Sequence, residues 1–236
     1  MRKAGAGRAL PVLLICLGGW LPACDAPAAG EAAGSASPSA TAKDAERCRQ
    51  LIGTAGVDWA EKGHGSQVVE SGRDVQDVGE AVRRFGDTAR AWTPDADEDF
   101  SFRFLPDVCR LVPSDARNGD GLVTLKAGPG TFPLEKLPAG RLEGGGRVTD
   151  AGDDVKLVAW ELDDRVEHSA YVRCRAEGAM SGQETRVPLE VTMTDHLDQD
   201  AAATPRFDLL LDAARVIADE AGCVNDPELP EEAPEG

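Results

Sequence analysis

The chain has 236 residues, 25 basic and 42 acidic, with a formal net charge of −17 and 42% hydrophobic residues. That composition fits one folded domain with appended segments, and it excludes a polytopic membrane protein, a collagen-like fibre and a wholly disordered chain. Strong negative charge and an aromatic content of 5% argue against nucleic acid as a partner, because such binding rests on clustered Lys and Arg or on stacking rings.

Arg2, Lys3 and Arg8 lead into an almost wholly apolar run over residues 9–21. A basic start, a short apolar stretch and a small residue before the cut predict a secretory signal peptide over residues 1–23. The run is shorter than the roughly 20 residues a spanning helix needs. Leu21-Pro22-Ala23-Cys24 resembles a bacterial lipobox, departing from it at Pro22, where a small or hydroxyl residue is usual. The resemblance implies that Cys24 is lipidated and becomes the mature N-terminus. It also implies that the membrane is a partner through this anchor, with the protein on the outer face of the cytoplasmic membrane. Two acyl chains hold stably where one is marginal. After Cys24, residues 25–43 carry no aromatic or large aliphatic side chain. Residues 24–43 therefore read as a lipidated cysteine and a flexible linker, with a reach of about 25 Å. Loss of residues 1–23 removes three basic and no acidic groups, so the mature charge is −20.

A single extracytoplasmic domain is expected over residues 44–223, opening with a short helix over residues 44–52. Val75, Val78, Val82, Phe85, Ala89 and Trp92 recur at steps of 3 and 4, which predicts a helix over residues 73–92 capped by Ser71 and Asp74. Period-two alternation predicts strands over residues 100–104, 122–126, 155–162, 171–176 and 187–194. In the last of these, Val187, Leu189, Val191 and Met193 face one way, and Glu190, Thr192 and Thr194 the other. The glycine-rich stretch 128–154 reads as a loop, mobile or ligand-binding. Thr204-Pro205 opens a closing helix with Phe207, Leu210, Leu211, Ala214, Ile217, Ala218 and Ala221 on one face, and Gly222 ends it. Residues 224–236, rich in Asp, Glu and Pro, read as a disordered acidic tail. The expected fold is α+β: an antiparallel sheet of about five strands with helices packed on one face.

Cys16 leaves with the signal peptide, so Cys48, Cys109, Cys174 and Cys223 remain in the domain. An even number in an exported domain predicts two disulfides. Cys174 shares a strand face with Val172, the side where the last helix packs, and Cys223 ends that helix. The favoured pairing is therefore Cys48–Cys109 and Cys174–Cys223. No pair has the spacing of a zinc or redox site.

Catalytic motifs are missing: there is no Gly-x-Ser-x-Gly elbow, no Ser-x-x-Lys, no His-Glu-x-x-His and no phosphate loop. The histidines, His64, His168 and His196, all fall in polar connections and read as exposed. Asp95-Ala96-Asp97-Glu98-Asp99 and Asn118-Gly119-Asp120-Gly121 invite a calcium reading, and the stretch from Asp195 to Asp200 offers carboxylates to a cation. The second lacks its first and twelfth ligands, because Ala116 and Ala127 stand there. No catalytic residue, metal site or cofactor is assigned. The chain resembles the small, cysteine-bracketed lipoproteins of actinobacteria, specifically in its signal peptide and lipobox. The functional expectation is a non-catalytic binding module at the cell envelope, for a protein partner or a small ligand. The alternative is an envelope hydrolase, which a cleft uniting His64 or His196 with a carboxylate and a hydroxyl would favour.

Overall fold

The computed structural model describes residues 41–72, 74–95, 104–115, 121–161, 165–197 and 203–234. The signal peptide, Cys24 and most of the linker lie outside these residues, as do Phe100, Phe102, Asp97, Asp99, Asn118, Asp120, Asp198 and Asp200. No described helix is long and apolar enough to cross a membrane.

Helix α1, Thr41–His64, is longer than expected and is broken at Gly53, whose φ of 70° lies in the left-handed region. Glycine enters that region without the steric cost a Cβ would impose. The break turns Leu51 and Ile52 on one side, and Ala60 on the other, into the core. Strand β1 is Val68–Glu70. Helix α2, Val78–Ala91, starts five residues later than predicted. Asp77, not Ser71 or Asp74, caps it, its carboxylate accepting from the Gly79 N–H at 2.7 Å. The preceding segment is taken by the sheet instead. Ser71 N–H donates to the Arg110 carbonyl at 2.8 Å and Gln76 N–H to that of Asp107 at 2.7 Å, so tertiary hydrogen bonds override the local helical pattern. Val78, Ala81, Phe85 and Ala89 form the buried stripe.

The remaining elements are β2 Asp107–Pro113, β3 Val123–Pro129, β4 Gly140–Arg141, β5 Arg147–Asp150, β6 Val155–Glu161, β7 Val166–Val172, α3 Gln183–Arg186, β8 Leu189–Asp195 and α4 Ala203–Ala221. The sheet has eight strands in the order β1-β2-β3-β8-β7-β6-β5-β4, not about five, and every neighbouring pair is antiparallel. The chain leaves β3, builds the far half as a meander, and returns through β8 to the centre.

Three sequence expectations fail for related reasons. β2 has charged residues on one face and was hidden by the cluster of Phe residues before it; Phe104, expected on a strand, is exposed and irregular. The fourth strand runs from Val166 to Val172, so the stretch read as a polar connection is itself strand and Cys174 lies beyond it. The stretch 128–154 is no open loop. It holds a 3₁₀ turn, Leu134–Lys136, and the β4–β5 hairpin.

Helices α1, α2 and α4 cover one face of β1, β2, β3, β8 and β7. Leu210, Leu211, Ala214, Ile217 and Ala218 of α4 are buried against Leu125, Leu157, Val172, Val191 and Met193 in one core. Burying each Leu, Ile or Val contributes about 1.5–3 kcal/mol. A second, smaller core forms on the opposite face, where residues 131–142 fold over the far strands and Leu134 and Leu137 meet Val148, Val158 and Tyr171.

The Cys174–Cys223 bridge is present, with Cα atoms 5.1 Å apart. It is the one disulfide whose two cysteines are both described, against two expected. Cys109 is also disulfide-bonded, while the side chain of its expected partner, Cys48, lies outside the described residues. Cys174 reaches its partner from an irregular segment rather than from a strand. Buried Gln183 holds that segment, accepting from Ala176 N–H at 3.0 Å and donating to the Cys174 and Val187 carbonyls at 3.1 and 2.6 Å.

The tail also departs from expectation: residues 224–234 pack on the domain. Asn225 accepts from Arg175 N–H at 2.7 Å and donates to the Arg173 carbonyl at 2.6 Å. Ala233 N–H donates to Asp208 at 2.7 Å, and Arg215 donates to the Pro230 carbonyl at 2.8 Å. Acidic composition predicted solvation, but backbone N–H and carbonyl groups and one Asn supply the docking.

Candidate functional site

The sheet face opposite the helices is covered at one end by residues 131–142 and open at the other. Antiparallel register arranges its side chains in rows. One row runs Arg110, Thr124, Thr194, Glu167 across β2, β3, β8 and β7; the next runs Asp107, Lys126, Thr192, Ser169. With strands about 4.8 Å apart, each row is about 14 Å wide. The open end forms a cleft of about 640 Å³ lined by both rows' charged members, by Thr124 and Thr194, and by Arg165 and His196 at its mouth.

Its electrostatics run against the rest of the molecule. A chain of net charge −17 here gathers three permanent cations, Arg110, Lys126 and Arg165, with two carboxylates, Asp107 and Glu167. Arg110 is ion-paired with Asp107, and its buried Nε has no hydrogen-bond partner among the described residues. Lys126 sits half-buried on a central strand and has no ion partner among the described residues. Thr194 donates weakly to Glu167 at 3.5 Å.

Under the covered end the face stays polar but closed. Ser169 and Thr192 share a hydrogen bond of 2.8 Å, Thr192 donates to Glu190 at 3.1 Å, and Glu190 accepts from Thr131 N–H at 2.7 Å. The Thr131 hydroxyl meets that of Tyr171 at 2.9 Å. Burial pushes the Glu190 carboxyl above its ordinary range, against these hydrogen bonds. Tyr171 rises well above 10 because of burial first and the neighbouring Glu190 second. This network pins the covering segment to β7 and β8. The alternation of Glu190, Thr192 and Thr194 was legible; the burial of Glu190 and Thr192, with only Thr194 left on the open cleft, was not.

The histidines part company. His64 ends α1, exposed, with Nδ1 2.7 Å from the Ser66 hydroxyl, and no carboxylate hydrogen-bonds this ring among the described residues. His196 is exposed on the cleft rim. His168, expected in an exposed connection, is instead 1% exposed on β7 beneath α4. It meets Phe207 edge-on at 4.8 Å, and its buried Nδ1 lacks a partner among the described residues. Burial first, then the Arg206 charge, lower its pKa to about 4, with Asp195 opposing. Asp195, marked in the sequence only as the start of an acidic stretch, and Arg206, not singled out there, form a buried bidentate pair beside it at 2.8 and 3.1 Å. The Arg206 guanidinium also stands 5.7 Å from the Trp59 ring centroid.

No group of three or more His, Cys, Asp or Glu able to hold a metal ion is found among the described residues, and the acidic stretches read as calcium sites lie largely outside them. The cleft does bring His196, a carboxylate and hydroxyls to one place. It does not join them: the His196 side chain makes no hydrogen bond among the described residues. Comparison with protein families, curated proteins and solved structures returned no match.

Proposed function

We propose that the chain is a lipid-anchored protein of the outer face of the cytoplasmic membrane, and that its folded part is a non-catalytic binding module. The lipobox-like Leu21-Pro22-Ala23-Cys24 and the tether after it support the anchor. The observation that carries the binding reading is the cleft on the helix-free face, a concave, hydrophilic site built on the rigid central strands β3 and β8. Strand-borne side chains are held by the ladder, so such a site is pre-organised.

A second reading, an envelope hydrolase, is favoured by the presence of His196, Glu167 and Thr194 in the same cleft. A catalytic base must be oriented by one group and face a nucleophile, and among the described residues no group orients His196. The test is complementation of a deletion strain. Loss of function with Lys126→Glu but not with His196→Ala supports binding. Loss with His196→Ala, in protein of normal fold and abundance, points to the hydrolase. The anchor is tested separately: Cys24→Ser abolishes incorporation of a labelled fatty acid and releases the protein from the membrane. Labelling that persists in this variant rejects the anchor.

A further inference from the structure

Resting on the binding reading above, we infer that the cleft takes a small soluble anion, a carboxylate- or phosphate-bearing molecule, whose oxyanion sits between Lys126 and Arg110.

The two cations are diagonal neighbours on paired strands, since Arg110 stands opposite Thr124 and Lys126 lies two residues further along β3. Diagonal pairs are about 7–8 Å apart, within reach of one another's long side chains, so one oxyanion can touch both. Each has capacity to spare. Lys126 has no ion partner among the described residues, although a charge on a central strand that is half withdrawn from water is costly unless something meets it. Arg110 keeps its carboxylate, Asp107, yet among the described residues its buried Nε–H has no acceptor. An oxygen placed between them would meet the Lys126 ammonium and the part of the Arg110 guanidinium that lines the cleft, next to the Asp107 carboxylate that stands opposite Lys126. The Thr124 hydroxyl, directly opposite Arg110, can donate a further hydrogen bond to the same group.

Size and charge exclude larger anions. At about 640 Å³ the cleft lies in the range for small molecules, which is roughly 300–1,000 Å³. An anionic polymer or membrane surface would meet the overall charge of −17 before it met the cleft. A small anion inside the cleft feels chiefly the charges within about 8 Å at physiological salt.

The experiment titrates the purified chain with citrate, with inorganic phosphate and with phosphatidylglycerol vesicles, following backbone amide shifts of β2 and β3. Saturable binding of citrate or phosphate is expected, weakened at least about 10-fold by Lys126→Met, weakened also by Arg110→Met, and weakened by raising the salt. Melting curves for both variants establish that they fold. Absence of saturable binding by either soluble anion, unchanged affinity in the folded Lys126→Met variant, or binding to vesicles alone overturns the inference. If neither anion binds while Lys126→Glu still abolishes complementation, the ligand class is wrong and the binding site stands. If both fail, the binding reading falls as well.

Discussion

Acidification should destabilise this protein through one residue, His168. The ring is 1% exposed and its pKa is lowered to about 4 from 6.5. The fold therefore favours the neutral ring, and the unfolded chain takes up the proton first. Stability from this group is complete above pH 6.5 and is lost as the pH falls through 4. Each pKa unit corresponds to about 1.4 kcal/mol, so proton linkage gives a loss of about 2 kcal/mol from pH 7 to pH 5, and about 3 kcal/mol by pH 4. Carboxylates contribute their own acid dependence, so the informative quantity is a difference between variants. His168→Leu keeps a side chain of similar size under Phe207 and removes both the ionisation and the unpartnered Nδ1. Urea unfolding at pH 7, 5 and 4 should show the wild type losing that much more stability than the variant, with no change in m-value. Parallel pH dependences in the two proteins would refute the burial of His168 beneath α4.

The other expectations concern the same buried chemistry. Arg206→Leu leaves the Asp195 carboxylate, itself 0% exposed, buried and unpaired; this should cost about 3–5 kcal/mol, much of it recovered in the Arg206→Leu/Asp195→Leu double variant. Equal stabilities for wild type and single variant would reject the pair. Glu190 is raised by burial, so its neutral form stabilises the fold up to the ordinary carboxyl range and that contribution declines as the pH climbs through the raised value. Glu190→Gln keeps an acceptor for Thr131 N–H and should flatten melting temperature against pH above about 4.5, whereas an unchanged slope would contradict it. Replacing Cys174 and Cys223 by Ala opens a 49-residue separation and should cost about 4 kcal/mol on the loop-closure account, read by denaturant unfolding. Peptide mapping without reductant should join Cys48 to Cys109; a Cys109 peptide linked elsewhere would reject that pairing.

Local pattern alone determined much of this protein. The apolar stripe of α4, its Gly222 stop, the first part of β3, β6 and most of β8 were legible, because helical and strand periodicities need no knowledge of partners; the meeting of Cys174 with Cys223 was expected too, but from a strand that ends before it, at Val172. Tertiary structure decided what each polar residue means. Glu190, Thr192 and Thr194 alternate like a solvent face, yet the first two are buried and only Thr194 reaches the open cleft. His168 follows Glu167 in what reads as a polar turn, yet β7 is central and α4 roofs it. Asp195 and Arg206 are 11 residues apart, with nothing local to announce a pair. The cleft is the extreme case. Arg110, Lys126, Thr194 and Glu167 come from four strands, and only the order β2-β3-β8-β7 brings them onto one face. A sequence records which residues alternate; strand order is set by global burial and hydrogen bonding across the whole sheet, and the site exists only once that order is chosen.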